Sequence, residues 1–339
     1  MLCLSIILTH ILTRYTIFLE PDSLQLDTLY WIRNIFITAT PAFIILSVLL
    51  TTLNYKKELP KGYLVERIKY LLVPYILVAM FYCYSLSLEN NTNFLNELFS
   101  TMVLANWHGY FIFVIMQFAI FTIIIYKINV RILSSKIALV LSFVINVAFL
   151  YSYYEIEAVN NFFMTYYPLS HNTIFLGWIF FYFFGAFIGL NYESIKVNLQ
   201  YNVAILLLMV ILSYILFIVF EDGDHWTVSS FHYSLIPLHA SMFLLMLYIA
   251  TSLSDIWQNN VTTVSNYSLF IFLFHPVILP YIYDFTEAYD GSTIIFISLT
   301  LLFILGICIG IGILLAQYKI FRFVLGKQPY KVKNRGKVL

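Results

Sequence analysis

The chain has 339 residues, 61% hydrophobic, 19% aromatic and only 10% charged, with a formal net charge of +1. Soluble domains carry roughly 25% charged residues, so a water-facing globule is excluded, and the near-neutral balance gives no indication of a nucleic-acid partner. Apolar surface in this quantity must face lipid, where only helices or closed barrels satisfy the backbone, and apolar runs of roughly 20 residues select helices over barrel strands of roughly 10.

The pattern predicts an all-α integral membrane protein: a single domain over 1–339, a bundle of about ten transmembrane helices with both termini cytoplasmic. The runs fall at 1–19, 33–53, 70–88, 109–126, 137–154, 173–190, 201–220, 232–253, 266–283 and 293–317. All the basic residues except Arg14 and Arg33 lie in the even connectors and the C-terminal tail, whereas Glu89, Glu97, Glu155, Glu157 and Glu221 mark odd ones. Lys and Arg stay cytoplasmic, so odd connectors are expected outside and even ones inside.

In chain order, the first run opens at Met1 without a basic flank or a signal-peptide cleavage site, which reads as a span whose cytoplasmic lead-in is missing. His10 lies midway along it, one turn before Arg14. Ionisable groups inside a bilayer are costly and usually face the bundle interior. A neutral imidazole there suits a general base or, equally, a hydrogen bond to a neighbouring helix. Arg33, at the outer end of the second run, either anchors to headgroups or holds an anionic or carbonyl oxygen. Arg67 and Lys69, just before Pro74, stand at the inner face, where they bind phosphate, bind anionic lipid, or only set topology. The stretch 89–108, with Trp107-His108-Gly109, has room for a short outer helix or re-entrant piece.

Gly185-x-x-x-Gly189 and Gly306-x-x-x-Gly310 each put small residues on one helical face, which permits close helix approach. The outer Asp222-Gly223-Asp224-His225-Trp226 segment suits either a sugar ligand or a solvated loop with an interfacial Trp. His275-Pro276 lies midway through the ninth run; a proline there removes a helix hydrogen bond and frees a carbonyl one turn back. His108, His171, His232 and His239 lack metal-ligand spacing and receive no role. No metal site is expected, and Cys3, Cys83 and Cys308, all in apolar runs, read as small buried hydrophobes.

Longer stretches carry a resemblance. They include 40–55 (TPAFIILS, then LTTLNY), Gly109-Tyr110-Phe111-Ile112 with Met116-Gln117-Phe118, Tyr166-Tyr167-Pro168-Leu169-Ser170, Gly177-Trp178-Ile179-Phe180, and Gly326-Lys327-Gln328-Pro329-Tyr330-Lys331. On these the chain resembles the acyltransferase 3 family of membrane proteins, in particular its staphylococcal biofilm-polysaccharide branch. The resemblance implies ten core helices and transfer of an acyl group from cytoplasmic acyl-CoA, a co-substrate and not a bound cofactor, to a glycan hydroxyl across the membrane. The family's first-span pattern R-x10-H is matched by His10, while its arginine would fall just before Met1. Its R-x-x-R is matched by Arg67, with Tyr70 in the second position and Lys69 nearby. Its F-x-x-S-G is represented by Phe43 to Ser47, with Val48 where glycine is usual, and its I-Y-L-x-H-P by 271–276, ending in His275-Pro276.

The implied setting is the cell membrane of a Gram-positive bacterium and the production of poly-β-1,6-N-acetylglucosamine. Expected partners are that polysaccharide, membrane lipid and the membrane glycosyltransferase that makes the polymer. Two mechanisms compete. In O-acyl transfer, succinyl being one candidate group, His10 is the catalytic base, Arg67 and Lys69 bind the donor, and Arg33, Ser47 and His275 serve the acceptor or the structure. The alternative is export of the nascent polymer, the role usually assigned to this branch; a membrane scaffold for the glycosyltransferase is a third.

Overall fold

A computed structural model describes residues 2–15, 24–221, 228–253, 264–286, 293–318, 321 and 324–326. Every regular element among them is helical. The helices are α1 Leu2–Tyr15, α2 Leu24–Phe36, α3 Ala39–Asn54, α4 Tyr63–Asn90, α5 Phe94–Leu98, α6 Phe111–Ile128, α7 Lys136–Glu155, α8 Glu157–Tyr166, α9 Ile179–Leu190, α10 Tyr192–Tyr201, α11 Val203–Phe220, α12 Ile236–Ser252, α13 Ser268–Thr286 and α14 Thr293–Gln317. Among the described residues, seven helical stretches are long and apolar enough to cross a membrane, or eight if α9 and α10, bent by 92° at Asn191, form one span with the turn Phe175–Trp178 before α9. Two further apolar helices, Leu2–Tyr15 and Ser268–Tyr283, are shorter, and these carry His10 and His275. The chain is a multi-pass helical membrane protein.

Burial separates a central layer from a lipid-facing one. In the apolar window of α2–α3, 61% of residues are buried, against 11% in α11. The exposed faces of α7, α11 and α14 are almost wholly aliphatic, with Val140, Val144, Ile211, Ile215, Leu302 and Leu314 among the outward residues. That is the arrangement a hydrocarbon surround permits.

The tightest joint in the bundle is α3 against α9. A Cβ at Gly185 would lie 2.5 Å from the Ile45 carbonyl oxygen, and one at Gly189 would lie 2.1 Å from Thr52 Oγ1. Thr52 Oγ1 in turn donates 3.3 Å to the Ala186 carbonyl. The glycine pair Gly306 and Gly310 behaves differently. Open space surrounds both positions, so among the described residues the same spacing brings no second helix close. Asn146, buried on α7, holds the entry to α9. Its Nδ2 donates to the Gly177 carbonyl at 3.0 Å and its Oδ1 accepts from Phe180 N–H at 3.1 Å. Before the α-helix begins the chain makes two 3-10 turns, His171–Thr173 and Phe175–Trp178, and the clamp grips the second of them.

Two π-helical turns interrupt otherwise α-helical stretches. One, Ile68–Leu72, lies inside α4 immediately after Arg67; the other, Phe99–Val103, continues α5. The connector 89–108 therefore does hold a short helix, and α8 and α10 are further helices inside expected connectors. The segment Asp222 to Trp226 and the basic tail from Lys327 lie outside the described residues.

Candidate functional site

Proline chemistry on α13 sets the site's first atom. Pro276 has no N–H, so the Phe272 carbonyl lacks its helical donor. The side chain of His275 takes it: Nδ1 lies 2.8 Å from the Phe272 oxygen and 3.1 Å from the Ile271 oxygen. Facing two carbonyls, Nδ1 carries the proton, which leaves Nε2 as a bare lone pair. That nitrogen is buried and has no hydrogen-bond partner.

His10 on α1 faces this ring at 5.1 Å between centroids. A third histidine completes the group. His108, in the turn that leads into α6, lies 6.2 Å from His10 and 5.5 Å from His275. Its ring packs 5.6 Å from the Phe272 ring of α13, within electrostatic range of the Phe272 and Leu273 carbonyls, and its Nε2 is likewise buried without a partner. Sequence reasoning gave His108 no role, so it is the functional candidate that was missed. Among the described residues no group of three or more His, Cys, Asp or Glu is placed to hold a metal ion.

Aromatic rings wall the cluster. Trp107 packs 4.3 Å from the His108 ring and stacks on Tyr82 at 5.3 Å, and its indole N–H donates 2.9 Å to the Tyr75 hydroxyl. Local backbone makes this fold-back feasible. A Cβ on Gly109 would meet the Trp107 ring at 2.5 Å, and buried Ala105 turns the chain in the left-handed region at φ +57°. A non-glycine residue there stores strain of order 1 kcal/mol. On the far side, Phe272 packs against Phe111 at 4.4 Å and Phe43 at 5.6 Å. His10 and His108 are both half-buried, whereas His275 is fully buried.

Arg33 is turned into the bundle. It is 8% exposed, donating from Nε to Thr13 Oγ1 at 2.8 Å and from Nη1 to the Val228 carbonyl at 3.1 Å. It also lies within electrostatic range of His10. One turn along the chain from Arg33 and Asn34, Thr38 sits 3.2 Å from His239 Nδ1, and both polar atoms of the Asn34 side chain and His239 Nε2 are buried without partners.

A second polar place lies toward the end of the bundle with the Lys-rich connectors. Arg67 donates to Thr51 Oγ1 at 2.5 Å and to Ser47 Oγ at 3.4 Å, with its guanidinium 5.2 Å over the Tyr63 ring. Together with Val48, these side chains line a small closed pocket of about 10 Å³. The structure thus brings Arg67 and Ser47 together. It does not bring Lys69 to them: Lys69 is exposed, its ammonium 5.3 Å over Tyr70. Phe43, Ser47 and Thr51 follow one another at four-residue steps along one face of α3. At 1.5 Å per residue, the Arg67 contacts lie roughly 6–12 Å along the axis from the Phe43 ring, which packs on Phe272.

A family profile described as an acyltransferase domain matches residues 1–315. A probable poly-β-1,6-N-acetyl-D-glucosamine export protein of Staphylococcus aureus strain MRSA252 is 45% identical over 334 residues, spanning 98% of this chain and 95% of that protein. A protein of the same description from Staphylococcus epidermidis is 44% identical over 335 residues, spanning 98% and 94%. No solved structure shows a significant match. The profile covers nearly all of the apolar runs, including the three histidines and Arg67, and the chain belongs to the acyltransferase 3 family of membrane proteins.

Proposed function

We propose that this chain is a membrane O-acyltransferase of poly-β-1,6-N-acetyl-D-glucosamine production. It would take an acyl group, succinyl among the candidates, from acyl-CoA at the Lys-rich, cytoplasmic end of the bundle and deliver it to a glycan hydroxyl. The observation that carries this reading is the cluster of His10, His108 and His275, in which two rings hold buried Nε2 atoms without hydrogen-bond partners. A transferase needs a base of this kind at the reacting hydroxyl. A bare conduit for polymer has no use for one.

In the proposed step His10 removes the hydroxyl proton as the oxygen attacks the thioester carbonyl. The C–O bond forms, the C–S bond breaks, and the leaving thiolate regains a proton from the imidazolium. His275, steadied by carbonyls of α13, and His108 accept hydrogen bonds at Nε2 from neighbouring hydroxyls of the sugar and so fix the approach of the reacting one. Arg67, with Ser47 and Thr51 behind it, steadies the donor. The membrane glycosyltransferase that makes the polymer would supply the acceptor.

The second reading is export of the nascent polysaccharide, favoured by the printed descriptions of the staphylococcal relatives. One experiment separates the two. A strain lacking the protein is complemented with wild type or His10→Ala, and polymer outside the cell, polymer inside it and ester-linked acyl groups are quantified. Loss of esters with polymer still exported supports transfer; polymer trapped inside with unchanged ester content per sugar overturns it.

A further inference from the structure

A groove of about 390 Å³ opens at the Lys-rich end between the connector that follows α3 and the last turns of α6. Lys57 reaches it from the connector and Lys127 from α6, so two ammonium groups far apart in sequence share one opening; Glu58 is the one carboxylate among its lining residues. The connector is held in place: the Tyr126 hydroxyl donates to the Tyr55 carbonyl, and Tyr55 N–H donates 2.9 Å to the Thr51 carbonyl. Gly62, at φ +85°, turns the chain back into α4.

Tyr63 belongs to both cavities, lining this groove and the closed Arg67 pocket. The positively charged groups therefore form a line, from Lys57 and Lys127 at the surface, past Tyr63, to Arg67 and its Thr51 and Ser47 contacts. The line begins wide and ends narrow. Pockets of roughly 300–1,000 Å³ hold nucleotide-sized groups, whereas about 10 Å³ admits no more than a single water until the walls move.

We infer that the groove binds the phosphorylated head of a nucleotide-type donor, with Lys57 and Lys127 on its phosphates, the Tyr63 and Tyr126 rings against its base, and its thin thioester arm directed past Tyr63 toward Arg67. This rests on the acyl-CoA reading above and reassigns the surface donor contacts from Lys69, which does not line the groove. Two mobile ammonium groups suit phosphates of varied geometry, whereas Arg67 is fixed by its hydroxyl partners. An anionic lipid headgroup offers the same phosphate chemistry, so the test must tell the two apart.

The test uses full-length protein in nanodiscs of zwitterionic lipid and unacylated coenzyme A as the titrated probe. Calorimetry compares wild type, the Lys57→Gln, Lys127→Gln double variant, and Lys69→Gln. All three lysines are exposed, and thermal unfolding confirms that the variants stay folded. The double variant is expected to weaken coenzyme A binding by about tenfold or more, in line with loss of charge-assisted phosphate contacts, while Lys69→Gln stays within about twofold. Equal binding by wild type and double variant overturns the inference and leaves acyl transfer standing. No binding by wild type overturns both. A parallel arm adds phosphatidylglycerol to the discs. Retention of that lipid that depends on the two lysines, without any coenzyme A binding, assigns the groove to a headgroup and overturns the nucleotide occupant.

Discussion

The histidine cluster and the Lys-rich end are joined by shared helices, α3 and α4 among them, yet they are built in opposite ways. At the cluster every polar group is on a short side chain. The ring of His275 is fixed against two carbonyls, and Trp107, Phe272 and Tyr82 leave that of His108 little room to turn. At the other end the charges of Lys57, Lys127 and Lys69 sit on long exposed stems, and only Arg67 is drawn inward by Thr51 and Ser47. The difference matches two tasks. Proton transfer demands placement within a few tenths of an ångström, whereas capture of a charged donor demands reach and field, both of which tolerate motion.

That contrast can be broken first at His108. His108→Ala is expected to lower acyl transfer by roughly 10²-fold or more, with coenzyme A affinity unchanged, in a reconstituted transfer assay. A reduced donor affinity with normal turnover would erase the division between the two ends. Arg67→Ala should show the reverse pattern, a donor KM raised by roughly tenfold with a smaller change in kcat, and Arg67→Lys should recover only part of it because a single ammonium cannot span Ser47 and Thr51.

Smaller effects sharpen the frame that holds the two ends in register. Gly185→Ala forces α3 and α9 apart and is expected to cost about 1–3 kcal/mol, read as a lower unfolding temperature in detergent, while Gly306→Ala should leave that temperature unchanged. The smallest change is expected for Ala105→Gly. Relief of the left-handed strain and the added freedom of glycine in the unfolded chain nearly cancel, so stability should move by less than about 1 kcal/mol and transfer should persist.

Much of this was legible in the residues, for physical reasons that also set its limits. A helical membrane protein follows from apolar runs and few charges. His10 and His275 stand out because an imidazole inside such a run is expensive, and Pro276 announces a free carbonyl. His108 carries no such mark: it lies at the edge of a run, where a polar residue costs nothing, and only its neighbours Trp107 and Gly109 hint that the chain folds back there. Lys57 and Lys127 are hidden among charges that topology alone would explain. Arg33 left two readings open in the sequence, and its contacts with Thr13 and the Val228 carbonyl could be read only from the structure. The two glycine pairs have the same spacing and opposite surroundings, a distinction that only the neighbouring helix supplies.

The π turn at Ile68–Leu72 has a consequence for how this chain can change its length. Such a turn amounts to one residue inserted into an α-helix, and each α-helical residue advances the facing direction by about 100°. Arg67 lies before the insertion and the Tyr75 and Tyr82 wall of the histidine cluster lies after it. Deleting a single residue from 68–72 would leave an unbroken helix that is locally more regular, yet it would swing Arg67 by about a quarter-turn away from Ser47 and Thr51 while the tyrosines kept their places. The irregular turn is in effect a gear tooth: it sets the phase between the two ends of α4, and in this stretch chain length is constrained more tightly than residue identity.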